Sequence, residues 1–450
     1  MQQKMIVLSL DALVAEDVEY LRTKPNFSKL MAHASGVEKT CTCYPSITYP
    51  AHITIITGTR PAKHGIYLNT EFKTVEDGYP HWFLESSDIQ VEDLFAAAKR
   101  AGMTTASVFW PIMGHNPNVD YLINEYFFYH EKLEDAEAVF AGQGANEDTL
   151  AVVRKNMPRL PWKRGQRAEF AVGGPATWRA YLDETAWDNF IIGCVCDMIR
   201  DYQPDLLMAH NCIMDSVRHR FGIFNDKVTA ALDRVDEWMG DLIAALEESG
   251  TYENTNVVIL SDHGQMNFVR RIKINTLLRR GGYVDVDENG LVTDWRAFGE
   301  SNGMSATIFL KDKNDKKLWQ EVYDFLNEKA ADGVWGFNKV RTAQECLEEY
   351  QQYGDFAFMV ETDGYTTFSD GWAEPIVANA DMSDYRLGTA THGYEPEKGP
   401  QPVFWCRGPA FKEDVVIPRS LTIDEAPTLA AAFGQTMPQA DGKVLREILK

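Results

Sequence analysis

Acidic and histidine side chains follow the ends of several predicted strands. Asp11 ends an apolar run near the start of the chain, and Asp262 and His263 directly follow a β-branched run. Asp215 and His219 lie just past another strand end, and their spacing of four residues places both side chains on one face if the segment is helical. Because ligands bind at the carboxyl ends of strands in open α/β sheets, we expect these groups to converge on one sheet edge.

A further histidine, His392, lies immediately before Gly393, whose missing side chain allows the backbone to approach a site closely. With His392 the set contains six carboxylate and imidazole groups, a mixture that suits two zinc-like divalent ions. Each part also has a simpler interpretation. Asp11 could cap the following helix, and Asp215 with His219 could form a solvated pair on a helix surface.

The stretch 44–58 contains a candidate nucleophile. It predicts a turn followed by a helix that begins near Thr48 and ends at Gly58. Pro50 fits the first helical turn, where its missing N–H costs nothing. A helix N-terminus favours an anion such as phosphate, and a nearby metal ion could stabilise the alkoxide of a threonine, which is otherwise a poor nucleophile. Alternatively, Thr48 is only the N-cap of this helix.

The composition argues against several classes of function. The chain has 450 residues, 45% hydrophobic and 24% charged, which is enough for a sizeable core, and its net charge is −22. Such a charge argues against nucleic acid or an anionic membrane as a partner. An anionic substrate would therefore depend on metal ions for positive charge. No run of about 18 apolar residues is present, so no membrane span is expected.

The cysteine pattern predicts a cytoplasmic protein. Seven cysteines is an odd number, and their two closest pairs have C-x-C rather than C-x-x-C spacing, so we expect free thiols in a reducing compartment. The apolar run that starts at Met5 is too short for a signal peptide.

Neither the P-loop nor the G-x-G-x-x-G pattern occurs, which argues against a dinucleotide cofactor. The sequence does not indicate an oligomeric state.

Strands and helices alternate along most of the chain. Strands are predicted at 4–10, 37–43, 104–110, 205–210, 256–260 and 402–406, and helices at 26–33, 87–101, 185–200, 227–249 and 424–433. This rhythm indicates an α/β fold with a doubly wound, mostly parallel sheet and helices on both faces. The pattern weakens at about 120–187, predicted as an excursion from the sheet, and at 267–384, predicted as an inserted α+β cap. The core would then comprise residues 1–266 and 385–450.

Several short motifs occur in a fixed order along the chain. They are Leu8-Ser-Leu-Asp11, Pro45-Ser-Ile-Thr-Tyr-Pro50, Pro61-Ala-Lys-His-Gly-Ile66, Asp215-x-x-x-His219, Ser261-Asp-His-Gly-Gln-Met266 and Thr391-His-Gly-Tyr394. Over residues 5 to about 434 the chain resembles the type I phosphodiesterase/nucleotide pyrophosphatase branch of the alkaline phosphatase superfamily. The resemblance implies an alkaline-phosphatase-like core and a hydrolase that cleaves phosphodiester or pyrophosphate bonds in small nucleotide-type substrates.

The resemblance also implies a role for each candidate residue. One zinc ion would be held by Asp215, His219 and His392, and the other by Asp11, Asp262, His263 and Thr48. Thr48 would be the nucleophile and form a phosphoryl-threonine intermediate. Asn69 would donate its amide to a non-bridging phosphate oxygen, and Tyr49 would flank a nucleotide base. Family members often carry Thr-Phe-Pro-Asn at the nucleophile, whereas this chain has Thr48-Tyr-Pro-Ala51.

Two related activities on the same metal core stay open, phosphonate hydrolysis and phosphomonoester hydrolysis. A monoesterase needs additional positive charge near the nucleophile, for which Arg60 and Lys63 are the nearby candidates. A sulfatase is disfavoured because Thr48 does not lie in a C/S-x-P-x-R motif. A more distant alternative is an inactive metal-binding protein. The sequence does not identify the physiological substrate.

Overall fold

An eight-stranded sheet forms the centre of the molecule. The structure, a computed structural model, describes residues 3–73, 81–126, 135–160, 187–378 and 389–450. In order across the sheet the strands are Val416–Leu421, Ser35–Cys41, Phe404–Arg407, Thr255–Leu260, Lys4–Leu10, Leu206–Asn211, Thr105–Val108 and Tyr121–Ile123. Neighbouring strands are parallel except at Phe404–Arg407, which is antiparallel to both of its neighbours. The predicted mostly parallel sheet is confirmed.

Apolar side chains of the central strand alternate between two cores, one on each face of the sheet. Met5 and Val7 join one core, and Ile6 and Leu8 join the other. The helices outside the inserted region are Ala15–Leu21, Pro25–Leu30, Thr48–Thr57, Pro61–His64, Leu94–Arg100, Ala136–Gly142, Glu147–Asn156, Asp188–Asp201, Ile213–Phe221, Asp226–Glu248 and Glu425–Ala432. The doubly wound α/β class predicted from the sequence is therefore confirmed.

A second, smaller sheet follows the strand Thr255–Leu260 along the chain. Its four antiparallel strands lie in the order Ala297–Ser301, Ser305–Leu310, Phe358–Thr362 and Phe337–Thr342. The same region contains the helices Ile274–Arg280, Lys316–Asp332 and Ala343–Tyr350, and the strands Met266–Asn267, Arg270–Lys273, Val284–Val286, Val292–Trp295, Thr366–Ser369 and Val377–Ala378. It has an apolar core of its own that includes Ile308, Val322 and Phe358. The limits 267–384 for an inserted cap remain a prediction.

Two segments differ from the sequence prediction. The helix predicted at 87–101 begins only at Leu94, because the Asp93 side chain accepts the Ala96 N–H at 2.8 Å and caps the helix there. Residues 121–123, assigned to the excursion, instead form the edge strand beside Thr105–Val108. Two helices between 136 and 156 also fall within that excursion. Its residues 127–134 and 161–186 lie outside the described part of the chain.

Within the described ranges, no helix has both the length and the apolar character that crossing a bilayer requires. All seven cysteines carry free thiols, and six of them are buried. The cytoplasmic location stays a prediction.

Candidate active site

Asp11 and Asp262 lie side by side because their strands are neighbours. The first strand pairs in parallel with Thr255–Leu260, so both carboxyl ends reach the same sheet edge. The Ala12 N–H donates to Asp262 Oδ1 at 3.2 Å, and Ala12 itself has a φ of 56°. His263 Nε2 lies 3.2 Å from Asp262 Oδ2 and 3.5 Å from Asp11 Oδ1. Asp11, Asp262 and His263 together are called the Asp262 group below.

The other three predicted ligands, Asp215, His219 and His392, form the Asp215 group. The helix Ile213–Phe221 places Asp215 and His219 one turn apart, with His219 Nε2 3.2 Å from Asp215 Oδ1. His392 Nε2 lies 3.8 Å from the same oxygen. The His219 Nδ1–H donates to the Ala390 carbonyl at 2.8 Å, which leaves Nε2 directed towards Asp215. Histidines that bind metals commonly hold their second ring nitrogen in this way.

The two groups adjoin through their histidines. The rings of His263 and His392 have centroids 4.3 Å apart. Ligand atoms of Asp215, His263 and His392 lie within 4.8 Å of one another, as do those of Asp11, Asp262 and His263. The structure therefore brings all six predicted ligands into one continuous site.

Buried polar atoms show that divalent cations fit this site. Among the described residues, Asp11 Oδ1, Asp262 Oδ2, His263 Nδ1 and His392 Nδ1 are buried without a hydrogen-bond partner. An unsatisfied buried polar group costs about 1–3 kcal/mol, and a buried unpaired charge costs more. Carboxylate oxygens and imidazole nitrogens are donors that zinc-like ions bind, so the residues present fit the metals that the resemblance implies.

Burial also changes the acidity of the carboxyl groups. Burial, together with the charge of Asp215, raises the pKa of Asp11 to about 7. Burial, together with the charge of Asp11, raises the pKa of Asp262 to about 7. Burial opposes ionisation of Asp215 as well, but the neighbouring His219 outweighs it and lowers the pKa of that carboxyl. Because cations bind the deprotonated form, metal binding at the Asp262 group should weaken as the pH falls through about 7.

Thr48 is the first residue of the helix Thr48–Thr57, and the N-cap is Ile47. Thr48 lies inside the helix rather than before it, so the interpretation of Thr48 as the N-cap is wrong. The Thr48 Oγ1 instead lies 3.2 Å from His263 Nε2. The hydroxyl is therefore at the edge of the Asp262 group and at the N-terminal end of a helix.

Asn69 and Tyr49 are joined by a hydrogen bond. The Tyr49 N–H donates to Asn69 Oδ1 at 2.9 Å, so Nδ2 is the donor that Asn69 keeps for a ligand. The Tyr49 ring is fully buried and packs edge-on against Trp82, with centroids 4.7 Å apart. In this structure Trp82 covers the Tyr49 ring, and the predicted contact of Tyr49 with a nucleotide base stays a prediction.

Two buried histidines behind Thr48 have roles that the sequence prediction left undecided. The His52 Nδ1–H donates to the Thr48 carbonyl at 2.8 Å, and Nε2 lies 2.8 Å from Ser9 Oγ. The His52 ring also contacts His210, with centroids 4.3 Å apart. In the sequence, only the spacing of four residues between Thr48 and His52 indicates that the two are in contact. Many pairs of residues on helices share this spacing, so it does not identify a functional pair.

Arg218 connects the two groups of ligands. It lies on the Asp215 helix and is 1% exposed. Its Nη2 donates to both carboxylate oxygens of Asp17 at 2.7 Å, and its Nη1 donates to the Ala12 carbonyl. The turn that follows Asp11 is thereby fixed to the helix that carries Asp215.

Known proteins resemble this chain over most of its length. A model of the family described as type I phosphodiesterase/nucleotide pyrophosphatase matches residues 5–395. Ectonucleotide pyrophosphatase/phosphodiesterase family member 3 of Rattus norvegicus is 22% identical over 442 residues, which cover 92% of this chain and 40% of that protein. Family member 1 of Homo sapiens is 26% identical over 273 residues, which cover 58% of this chain and 23% of that protein. The chain thus spans less than half the length of these two relatives.

A solved structure has the same fold. The inactive murine ectonucleotide pyrophosphatase/phosphodiesterase 5 in complex with AMP has a TM-score of 0.64 and 17% sequence identity, and the match covers 100% of both chains. At this identity the likeness shows the fold alone. It confirms the alkaline-phosphatase-like core that the motifs predict.

We predict that Arg218→Met destabilises the protein and weakens metal binding at both groups. Breaking this buried ion pair leaves the negative charge of Asp17 buried without a counter-charge, which typically lowers the free energy of unfolding by about 3–5 kcal/mol. The control is Arg280→Met, since Arg280 contacts Glu374 with two bonds of 2.7 Å but is 55% exposed. That exposed pair should contribute far less to stability, because solvent screens it. Chemical denaturation measures the change in stability, and zinc titration measures the change in metal affinity. Unchanged zinc affinity in a folded Arg218→Met protein would contradict the role of Arg218 in connecting the two groups.

Proposed function

The chain belongs to the type I phosphodiesterase/nucleotide pyrophosphatase family, and from this premise we propose that it hydrolyses phosphodiester or pyrophosphate bonds in small nucleotide-type molecules. Thr48 is the proposed nucleophile, and two divalent ions, most suitably zinc, are the proposed cofactors. The observation that carries the proposal is the position of Thr48 Oγ1, 3.2 Å from His263 Nε2. This hydroxyl lies beside a cluster of metal-type ligands and caps nothing in its own helix.

Different residues of the chain have different roles in the proposed reaction. When bound, divalent ions at the Asp262 and Asp215 groups would supply the positive charge that a phosphoryl group needs in a chain of net charge −22. The positive end of the dipole of the helix Thr48–Thr57 lies at the same place and favours an anion there. Thr48 Oγ1 forms a bond to phosphorus as the bond from phosphorus to the leaving oxygen breaks, and the threonine proton ends on the alcohol or phosphate that leaves. Water then cleaves the phosphoryl-threonine ester, which restores the hydroxyl and releases the phosphorylated product.

The alternatives differ in the charge that surrounds the phosphoryl group. A phosphomonoesterase would need a side-chain cation near Thr48, and Lys63 is instead held by Asp441 at 2.8 Å and by the Gln439 carbonyl. This pairing argues against Lys63 as that cation, and Arg60 is the other candidate that a monoesterase would need. Phosphonate hydrolysis on the same ligands and an inactive metal-binding protein remain the competing proposals, and turnover distinguishes them.

The proposed function predicts metal-dependent turnover of a chromogenic diester. The zinc-loaded protein should hydrolyse bis(4-nitrophenyl) phosphate faster than 4-nitrophenyl phosphate and faster than a 4-nitrophenyl phosphonate ester. Dialysis against a chelator should abolish the activity, and zinc should restore it. A metal-loaded, folded protein that turns over none of these substrates would support the inactive alternative.

Thr48→Ala should keep the fold and the metal ligands but lose the covalent route, so kcat/KM should fall by several orders of magnitude. Thr48→Ser should retain part of the activity because it keeps a hydroxyl at the same position. The matched control is Thr57→Ala in the same helix, where the hydroxyl donates to the Ile53 carbonyl. Near-normal turnover of Thr48→Ala would remove Thr48 as nucleophile, whereas a labelled phosphoryl group trapped on Thr48 would support it.

Two substitutions of Asn69 distinguish the role of its Oδ1 acceptor from the role of its Nδ2 donor. Asn69→Asp keeps an acceptor for the Tyr49 N–H and removes the Nδ2 donor, whereas Asn69→Ala removes both. If Nδ2 stabilises charge in the transition state, both variants should lose about 10²–10³ in kcat with little change in substrate binding. If Asn69 only holds the helix through Tyr49, Asn69→Asp should keep near-normal kcat.

A further inference from the structure

The two carboxylate oxygens of Asp11 face different histidines. Oδ1 lies 3.5 Å from His263 Nε2, within the Asp262 group. Oδ2 lies 3.1 Å from His210 Nε2, at the end of the neighbouring strand Leu206–Asn211. Asp11 therefore contacts a second set of side chains that the proposed reaction does not use.

Cys212 brings a sulfur ligand to this second set. Its Sγ lies 3.9 Å from His210 Nε2. One ligand atom from each of Asp11, His210 and Cys212 lies within 4.8 Å of the others. Cys212 is the one cysteine of the chain that is not buried, whereas Asp11 and His210 are buried. An oxygen, a nitrogen and a sulfur donor thus lie close together, and the cysteine is the one partly exposed member of the three.

Glu125 supplies an independent observation. Its Oε1 lies 3.1 Å from His210 Nδ1, on the opposite side of the imidazole from Asp11. Glu125 is 3% exposed, and within the described chain its Oε2 is buried without a hydrogen-bond partner. A carboxylate on the second ring nitrogen is the arrangement that fixes a metal-binding histidine in the tautomer whose other nitrogen faces the ion.

We propose that Asp11, His210 and Cys212 bind an additional divalent metal ion, with Glu125 orienting His210. Thiolate and imidazole donors select zinc-like ions over magnesium or calcium, which prefer oxygen ligands. The ion would share Asp11 with the Asp262 group, so the additional site adjoins the proposed catalytic pair. The competing explanation is a protonated His210 that bridges Asp11 and Glu125 without a metal, and it gives Cys212 no role.

Cobalt distinguishes these explanations, because a thiolate ligand produces a charge-transfer band in the near ultraviolet that carboxylates and imidazoles do not. Neither the Asp262 group nor the Asp215 group contains a cysteine. Chelator-treated protein is titrated with Co²⁺, and zinc content is measured separately on zinc-loaded protein. The variants are Cys212→Ala and, as a matched control, Cys346→Ala, whose thiol is buried in another cluster with Phe356 and Met359.

We expect the thiolate band in the wild type and in Cys346→Ala but not in Cys212→Ala, and one equivalent of zinc less in Cys212→Ala. In case Cys212→Ala does not fold, zinc should also protect Cys212 of the native wild type from alkylation, while magnesium should not. A wild type without the band, or equal alkylation with and without zinc, would overturn the proposal. If such a protein still hydrolyses bis(4-nitrophenyl) phosphate, the proposed function stands and only the additional site is rejected.

Discussion

The convergence of buried carboxylates on three neighbouring strand ends is the constraint on which the rest of the site depends. Lys4–Leu10 lies between Thr255–Leu260 and Leu206–Asn211, so Asp11 is flanked by side chains from both neighbours. Burying several like charges together is costly unless cations or donors surround them. The Ala12 N–H and the imidazoles of His263 and His210 meet part of that cost. The remaining negative charge is what makes the site suitable for metal ions.

The parts of the structure that sequence reasoning recovered have strong local signals. The helix Asp226–Glu248 was predicted to within one residue, because its apolar positions are periodic over many turns and Asn225 caps its start. The clustering of the candidate ligands was predictable, since acids and histidines directly follow apolar strands and the topology brings those strand ends together. The helix at 87–101 was misjudged because a capping aspartate, Asp93, lies within the predicted span. A short edge strand such as Tyr121–Ile123 carries too few residues for any periodicity.

The supporting residues could not be predicted because their partners are distant in sequence. His210 contacts Asp11 across a separation of 199 residues, and Arg218 contacts Asp17 across 201. Nothing near either residue distinguishes it from an ordinary buried histidine or a surface arginine. The surroundings of Tyr49 could not be predicted either, because its ring packs against Trp82, a contact that a sequence pattern does not contain.

The environment of Thr48 also indicates where substrate preference can vary. All ten residues of Thr48–Thr57 are buried, so close packing holds Thr48 and its helix in one position. The adjoining loops are different, because each is tied to the smaller sheet. Thr70, next to Asn69, donates to Glu300, and Tyr44 donates to Glu361 at 2.9 Å. Changes in the smaller sheet can therefore reach the loop of Asn69 while Thr48 stays fixed, so under the proposed function substrate preference could vary without moving the proposed nucleophile.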